Sequence, residues 1–296
     1  MIFRWFARLS NECCLFDSHA SYIREPDKKN PRRSAARTGK MMSRDLKRGD
    51  TASTFANGLR VIGAFDAEDR DMSVPQIARK TGLDRAAARR LVLTLVAEGY
   101  AEEREQRYRL TPRVLRLGRA FLDARRVGAV LQPLLAEATR RLGLPVSFAM
   151  RDGFEALYLA HAPGEPSLIS TGFTTGTALP LLTSGLGRAV CAALTPAELE
   201  EVLAGAPLVA HTAATCLDRA EIGARIAAAR NRGLAYVAEE FEPGVAALAA
   251  PVRGGAGEIA GAVGVAGVIA RVPHPDAAPE LAAALSEIAR ALAGRM

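Results

Sequence analysis

The stretch SVPQIARKTGLDRAAARRLVLTLVAEGYA, residues 73–101, decides how the N-terminal part of this chain folds. Ser73 and Gln76 stand at the spacing of a capping box, in which a hydroxyl and an amide satisfy free N–H groups at a helix start. Met72 and Ile77 are placed as the hydrophobic staple of that start. The helix is short and stops at Thr81-Gly82, where glycine can take the left-handed conformation that ends it. Asp84 then caps a second helix, Arg85 to Glu98, closed by Gly99. Two short helices joined by a tight turn at a glycine predict a helix-turn-helix.

On the N-terminal side, Phe55, Leu59, Ile62 and Phe65 recur at spacings of three and four, which predicts a helix burying that stripe. On the other side, Tyr100-Ala-Glu-Glu103 and Arg107-Tyr-Arg-Leu110 flank a charged turn and predict a hairpin. A helix-turn-helix followed by a hairpin is a winged helix. From Thr111-Pro112 an amphipathic helix carrying Val114, Leu115, Leu117, Phe121 and Leu122 continues as a linker.

The helix from Arg85 divides by period. Ala88, Leu91, Val92 and Leu95 share a face that packs inward. Arg85, Ala86, Ala87, Arg89, Arg90 and Leu93 lie off it. Alanines allow close approach to base edges, while arginine can grip guanine bidentately or neutralise phosphates, so these positions are expected to read double-stranded DNA. Ser73 and Gln76 are expected near the phosphate backbone, and Arg104, Arg107 and Arg109 on the wing. Such a unit reads only a few base pairs, which predicts a homodimer on paired half-sites.

The charge distribution agrees. Of the net +7 over 296 residues, residues 1–50 carry +6, residues 51–126 carry +5 and residues 127–296 carry −4. A polyanionic partner belongs with the first half. The 49% apolar and 24% charged composition is that of a globular protein. No apolar run reaches the ~20 residues of a membrane span. Residues 1–50 show no period and read as a disordered basic tail, with Met41 or Met42 as a possible alternative start. The four cysteines have neither metal-ligand nor disulfide spacing, which fits a reduced cytoplasmic protein.

From Val127 the pattern changes. A helix ending at Gly143 is followed by strands at Val146–Arg151 and Ala156–His161, and a third near Leu168–Phe173. Helices start near Thr183, at Thr195-Pro196 and at Asp218. Strands at Leu234–Glu239, Val245–Val252 and Ile259–Val268 precede a last helix, Pro279–Ala293. The fold class is α+β: a winged head (51–110), a linker helix (111–126) and a mixed α/β domain (127–296).

These segments carry a family resemblance. GLRVIGAF (58–65), residues 73–101, LTPRVLRLG (110–118), LPLLTSGLGRAVCAAL (179–194), RGLAYVAEEFEPGVAALAAPVR (232–253) and EIAGAVGVAG (258–267) together resemble the IclR family of transcriptional regulators. The likeness is greatest to the branch controlling protocatechuate, 4-hydroxybenzoate and β-ketoadipate catabolism. The resemblance implies a GAF-like effector domain that binds a small organic acid and alters a dimer or tetramer on operator DNA.

The residues can be weighed beside it. Thr183-Ser184-Gly185-Leu186 precedes a helical run, so its hydroxyls and amides can meet a carboxylate. Arg188 can pair with the ligand or make a structural salt bridge. By resemblance the pocket wall includes Glu239, Ala247, Gly264 and Ala266. Ala247 stands where many members have Cys, Gly264 and Ala266 where many have Ser, and Ala178 where the aromatic-catabolism branch has Arg. These changes predict a roomier, less polar pocket for an aromatic or larger acid, other than protocatechuate itself. The histidines do not cluster, Cys191 lies in an apolar helix, and Glu239-Glu240 would point to opposite faces of a strand. No catalytic set, metal site or cofactor is expected. The alternatives are a DNA-binding protein whose C-terminal half only oligomerises, and an enzyme with a helical docking domain.

Overall fold

The computed structural model describes residues 51–66, 68–164, 174–255 and 257–295. The tail and the strand expected near Leu168–Phe173 lie outside the described residues.

The head is built as its capping signals dictate. Helix α1 spans Ser53–Ile62, α2 Val74–Thr81 and α3 Arg85–Ala97. The Ser73 amide and hydroxyl both donate to Gln76 Oε1 at 2.9 Å, Gly82 closes α2 with φ 69°, and Asp84 accepts the Ala87 amide at 2.8 Å. Strands β2 (Ala101–Arg104) and β3 (Arg107–Leu110) form the wing, and a two-residue strand β1, Met72–Ser73, adds to the outer edge of β3. The short β1 has too few residues to show a period in the sequence. Its Met72 is fully buried with Ile77, Val61, Ala88 and Val92 in one small core.

Helix α1 turns differently from its apolar spacing. Phe55 and Leu59 are 69% and 51% exposed, while Val61 is fully buried and Ile62 and Phe65 pack partly against the core. The side facing α3 is the one carrying Gly58, whose missing side chain would just touch Leu91, and Val61. A short 3-10 turn, Pro112–Val114, leads into α4, Leu115–Ala124, in which no residue is buried and Leu115, Leu117 and Phe121 are exposed.

A π-helical turn, Val127–Leu131, opens α5, Gln132–Leu142, which ends at Gly143. Strands β4 (Val146–Asp152), β5 (Glu155–Ala162), β6 (Ala178–Pro180), β7 (Ala235–Ala238), β8 (Val245–Arg253) and β9 (Ile259–Val268) form one antiparallel sheet in the order β6-β5-β4-β9-β8-β7. The three-residue β6 is an element that alternation could not reveal. The π-helical turn with α5, together with α9 (Pro279–Ala293), covers one face through Leu131, Leu135, Leu285 and Leu292. Helices α6 (Gly185–Ala193), α7 (Pro196–Gly205) and α8 (Arg219–Arg232) cover the other through Leu186, Val190, Val202, Ile222 and Ile226. The result is an α/β/α sandwich, the GAF-like architecture.

Helix α6 is buried at all nine positions. Glycine makes this possible: a Cβ on Gly187 would stand 2.5 Å from Leu181 Cα and 2.6 Å from the Pro180 carbonyl. The small residues of β8 and β9 beneath it serve the same end, drawing the helix N-terminus down onto the sheet.

The wing turn stores strain that can be relieved. Glu105 and Gln106 both have positive φ, 50° and 61°, as a type I′ turn requires, yet neither is the Asn or Gly that adopts it readily. Left-handed L-residues cost about 1–2 kcal/mol each. Replacing Glu105→Asn together with Gln106→Gly is therefore expected to slow hydrogen exchange of the Arg104 and Arg107 amides, which face each other across the turn, about tenfold. Exchange that is unchanged or faster would show that the turn carries no relievable strain.

Candidate functional sites

Two constellations stand out, one on the head and one in the sandwich. On the head, Arg85, Ala86, Arg89 and Arg90 are exposed and Ala87 is partly so, while Ala88, Val92 and Leu95 are buried. The helix therefore offers its basic N-terminal turns to solvent and spends its apolar stripe on the core. Ser73 and Gln76 are half-buried and occupied with each other in the cap. On the wing, Arg104 is exposed, Arg107 donates to the Asp71 carbonyl and, at 3.5 Å, to Gln76, and Arg109 is paired with Glu102. Of the expected DNA contacts, Arg85, Arg89, Arg90 and Arg104 have the freest guanidinium groups.

In the sandwich, a cavity open to solvent lies between the sheet and the N-terminus of α6. Ser184, Gly185, Leu186, Ala247, Gly264 and Ala266 all border it. Register explains why. Ala247 pairs with Ala266, Ala249 with Gly264, and Gly264 with Ser147, so small residues from three adjacent strands share the face beneath α6. Lining this floor are the apolar side chains of Leu179, Val237, Phe241 and Val245.

Glu239 is not part of the wall. Strand β7 ends at Ala238, and Glu239 enters the left-handed region at φ 59°, where its carboxylate accepts the Gly244 amide at 3.1 Å. Strand alternation therefore no longer fixes where its side chain goes. Glu242, three residues on, borders the cavity instead, and burial raises its pKa above the ordinary carboxylate value.

The Ser184 hydroxyl before α6 is also used internally, while Thr183 Oγ1 is buried without a hydrogen-bond partner among the described residues. Ser184 Oγ donates to the Pro180 carbonyl at 2.6 Å and accepts the Gly187 amide at 3.1 Å. The amides of Gly185 and Leu186 are left as the donors at the helix terminus, where the helix dipole favours an anion. Nor does Gly264 simply enlarge the cavity. A Cβ there would lie 2.9 Å from that of Ala249 and 3.1 Å from Leu186 Cδ2, so neighbours have already taken part of the space.

Arg188 is a structural residue. It is 1% exposed, donates Nε to the Leu182 carbonyl at 2.8 Å, and meets Glu240 through two bonds of 2.7 Å. Glu240 also accepts from Arg225 Nη1 at 2.9 Å and from the Cys216 amide at 3.1 Å. Those four donors saturate the acceptor capacity of one carboxylate. Cys191 sits in the core of α6, where burial raises its thiol pKa to about 12, so it is packing and not a nucleophile.

Sequence reasoning missed the far side of the cavity. Ser147, Tyr158 and His161 border it from β4 and β5. Ser147 Oγ lies 2.9 Å from His161 Nδ1, and the Tyr158 and His161 rings meet edge-on with centroids 6.5 Å apart. The cross-strand pairing of Ser147 with His161 brings them together, and a bulge at Phe148/Ala149 keeps Tyr158 on the same face. No local signal marks three residues whose only relation is register across a bulged hairpin.

Residues 54–105 match the model of the IclR helix-turn-helix domain, and residues 119–293 match that of the bacterial transcriptional regulator IclR C-terminal domain. The chain belongs to the IclR family. It is 33% identical to the Pca regulon regulatory protein of Pseudomonas putida over 77% of this chain and 78% of that one. Among solved structures it resembles a Rhodococcus sp. RHA1 protein assigned as a transcriptional regulator, at TM-score 0.70 and 33% identity over 82% of this chain and 98% of that one. An IclR homolog from Microbacterium hydrocarbonoxydans, complexed with 4-hydroxybenzoate, shares the fold at TM-score 0.69 and 22% identity, covering 81% and 98% of the two chains. These families and relatives are regulators and not enzymes, and this IclR member is a transcriptional regulator whose similarity to the Pca regulator agrees with the branch its sequence resembles. No helix among the described residues is long and apolar enough to cross a membrane.

Two outcomes follow from the sandwich. Removing one partner of a buried, saturated ion pair leaves an uncompensated charge, so Arg188→Met is expected to cost about 3–5 kcal/mol in denaturant unfolding. A loss under 1 kcal/mol would show that Arg225 alone can hold Glu240. Burial also lowers the pKa of His161 and His211 below the 6.5 of a free imidazole. The unfolded chain then binds more protons than the native one as pH falls through 6.5. Stability is expected to drop from pH 7 to pH 5, and to drop less in His161→Phe; an identical pH profile in the variant would contradict this.

Proposed function

We propose that this IclR regulator senses an aromatic monocarboxylic acid, or a catabolite of one, and in response alters its grip on an operator controlling a catabolic operon. The observation that carries the reading is the cavity itself. Its apolar floor and walls suit a flat ring, and the Gly185 and Leu186 amides at the α6 terminus suit a carboxylate. Support of a weaker kind comes from the names of its relatives, a Pca regulator and a homolog holding 4-hydroxybenzoate. A half that only oligomerised would need no such cavity, and an enzyme would need converging titratable groups.

In this reading residues 51–110 form the DNA-binding head, 111–126 the linker and 127–296 the effector domain, acting in the cytoplasm. Arg85, Arg89 and Arg90 enter the major groove with Ala86 and Ala87 against the bases. Arg104, Arg107 and Arg109 of the wing lie toward the backbone or minor groove, with Ser73 and Gln76 holding the first helix against a phosphate. The protein works as a homodimer or homotetramer. The exposed Phe55 and Leu59 on α1, with Leu115, Leu117 and Phe121 on α4, are the apolar surface through which two copies would meet.

Two measurements test this. Arg89→Ala with Arg90→Ala is expected to abolish specific operator binding in a mobility-shift assay at matched salt, with the melting temperature preserved; unchanged affinity would refute the groove assignment. In thermal-shift titrations, an aromatic acid at a hundred times its Kd is expected to stabilise the native state by about 2.7 kcal/mol. No shift with any aromatic acid, alongside a clear shift with an aliphatic one, would refute the effector class.

A further inference from the structure

The cavity beneath α6 carries an unbalanced charge. Among the described residues that border it there is no lysine or arginine, and Glu242 supplies the one carboxyl group. Arg188, on the adjoining helix, is taken up by Glu240 and the Leu182 carbonyl. His161 is the remaining basic group of the lining, and burial lowers its pKa, so the imidazole is neutral at pH 7.

The turn after β7 explains how a carboxylate comes to be left over. It holds three acids within four residues. Glu239 turns back to the Gly244 amide at 3.1 Å, and Glu240 is saturated by Arg188, Arg225 and the Cys216 amide. The Glu242 carboxylate has neither an ion-pair nor a hydrogen-bond partner among the described residues, and burial raises its pKa. A half-buried carboxylate with no donor facing it is costly by itself, and a cation brought by the ligand removes that cost. A ligand with a second carboxylate does the opposite, setting like charges against one wall.

Register gives the spacing. Gly185 of α6 rests on Ala247, and Val245, two residues earlier on β8, donates its amide to the Glu242 carbonyl at 3.3 Å. Two residues of strand therefore separate the helix terminus from the Glu242 turn, about 7 Å at the backbone. A ring carrying a carboxylate on one side and an aminomethyl group on the other spans such a gap. An α-amino acid, with both charges on one carbon, does not.

We propose that Glu242 is a specificity-determining residue of this cavity, and that the ligand carries a protonated amine on the side of its ring away from the carboxylate. The inference rests on the aromatic-acid reading above, which sets the carboxylate at α6, and narrows it to amine-bearing monoacids. It also gives the three acids of the turn separate tasks: Glu239 shapes the turn, Glu240 anchors it to α6, and Glu242 meets the ligand.

Isothermal titration of the full chain at pH 7 with 4-(aminomethyl)benzoate, 4-methylbenzoate and 4-(carboxymethyl)benzoate tests this. The aminomethyl compound is expected to bind roughly tenfold or more tighter than the methyl compound, and the carboxymethyl compound more weakly than either. In Glu242→Gln the amine preference is expected to fall to within about threefold, with affinity for 4-methylbenzoate kept. Glu242→Ala gives the same reading if the first variant does not fold. Glu239→Gln, which removes a charge from the same turn but not from the wall, is expected to keep the preference. Equal binding of the methyl and aminomethyl compounds to the natural protein, tightest binding of the carboxymethyl compound, or an undiminished preference in the Glu242 variants overturns the assignment and leaves the aromatic acid standing. Binding of none of the three overturns both.

Discussion

The ion pair between Arg188 and Glu240 is the constraint on which the C-terminal half depends. It joins the middle of α6 to the turn that follows β7, and it does so where neither charge reaches water. Two charges withdrawn from water are tolerated only when every donor and acceptor is met. Here the carboxylate is met four times, by Arg188, Arg225 and the Cys216 amide. Thr212 and Thr215 add bonds to the carbonyls of Glu239 and Glu240, so the segment before α8 is tied to the same turn. The turn carries Phe241 and Glu242 to the cavity wall. The shape of the cavity is thus set by a charge pair that does not touch it.

A second constraint is the closeness of α6 to the sheet. Glycine at 185 and 187 and alanine at 247 let the helix terminus rest against β8; a Cβ on Gly185 would come within 2.7 Å of that of Ala247. Its first amides are thereby held in a fixed place instead of fraying. Because the floor is built of small residues from three strands, polarity is concentrated at the ends of the cavity, at the helix terminus on one side and at Ser147, His161 and Tyr158 on the other.

The head uses a different economy. Its core is small, centred on Val61, Met72, Ile77, Ala88 and Val92, and nearly all of its arginines remain outside. Caps at Ser73, Asp84 and Gly82 fix the angle between α2 and α3 with few residues. The apolar side chains left exposed on α1 and α4 are the counterpart of that small core.

Much of this was legible in residue order alone. The capping box, the glycine stop, the Asp84 cap, the wing and the last helix are set by contacts within a few residues, so a local pattern suffices to read them. The same holds for the exposed basic turns of α3, because the apolar stripe beside them could face only inward. What residue order could not decide was which of two apolar faces of α1 would be buried, since that depends on the helix it packs against. Nor could it place Glu239, where a strand ended one residue early and the side chain turned back to Gly244. Ser147, His161 and Tyr158 were invisible for the same reason: residues that meet by register across a bulged hairpin leave no spacing in the chain, and only the folded sheet brings their polar atoms to one wall.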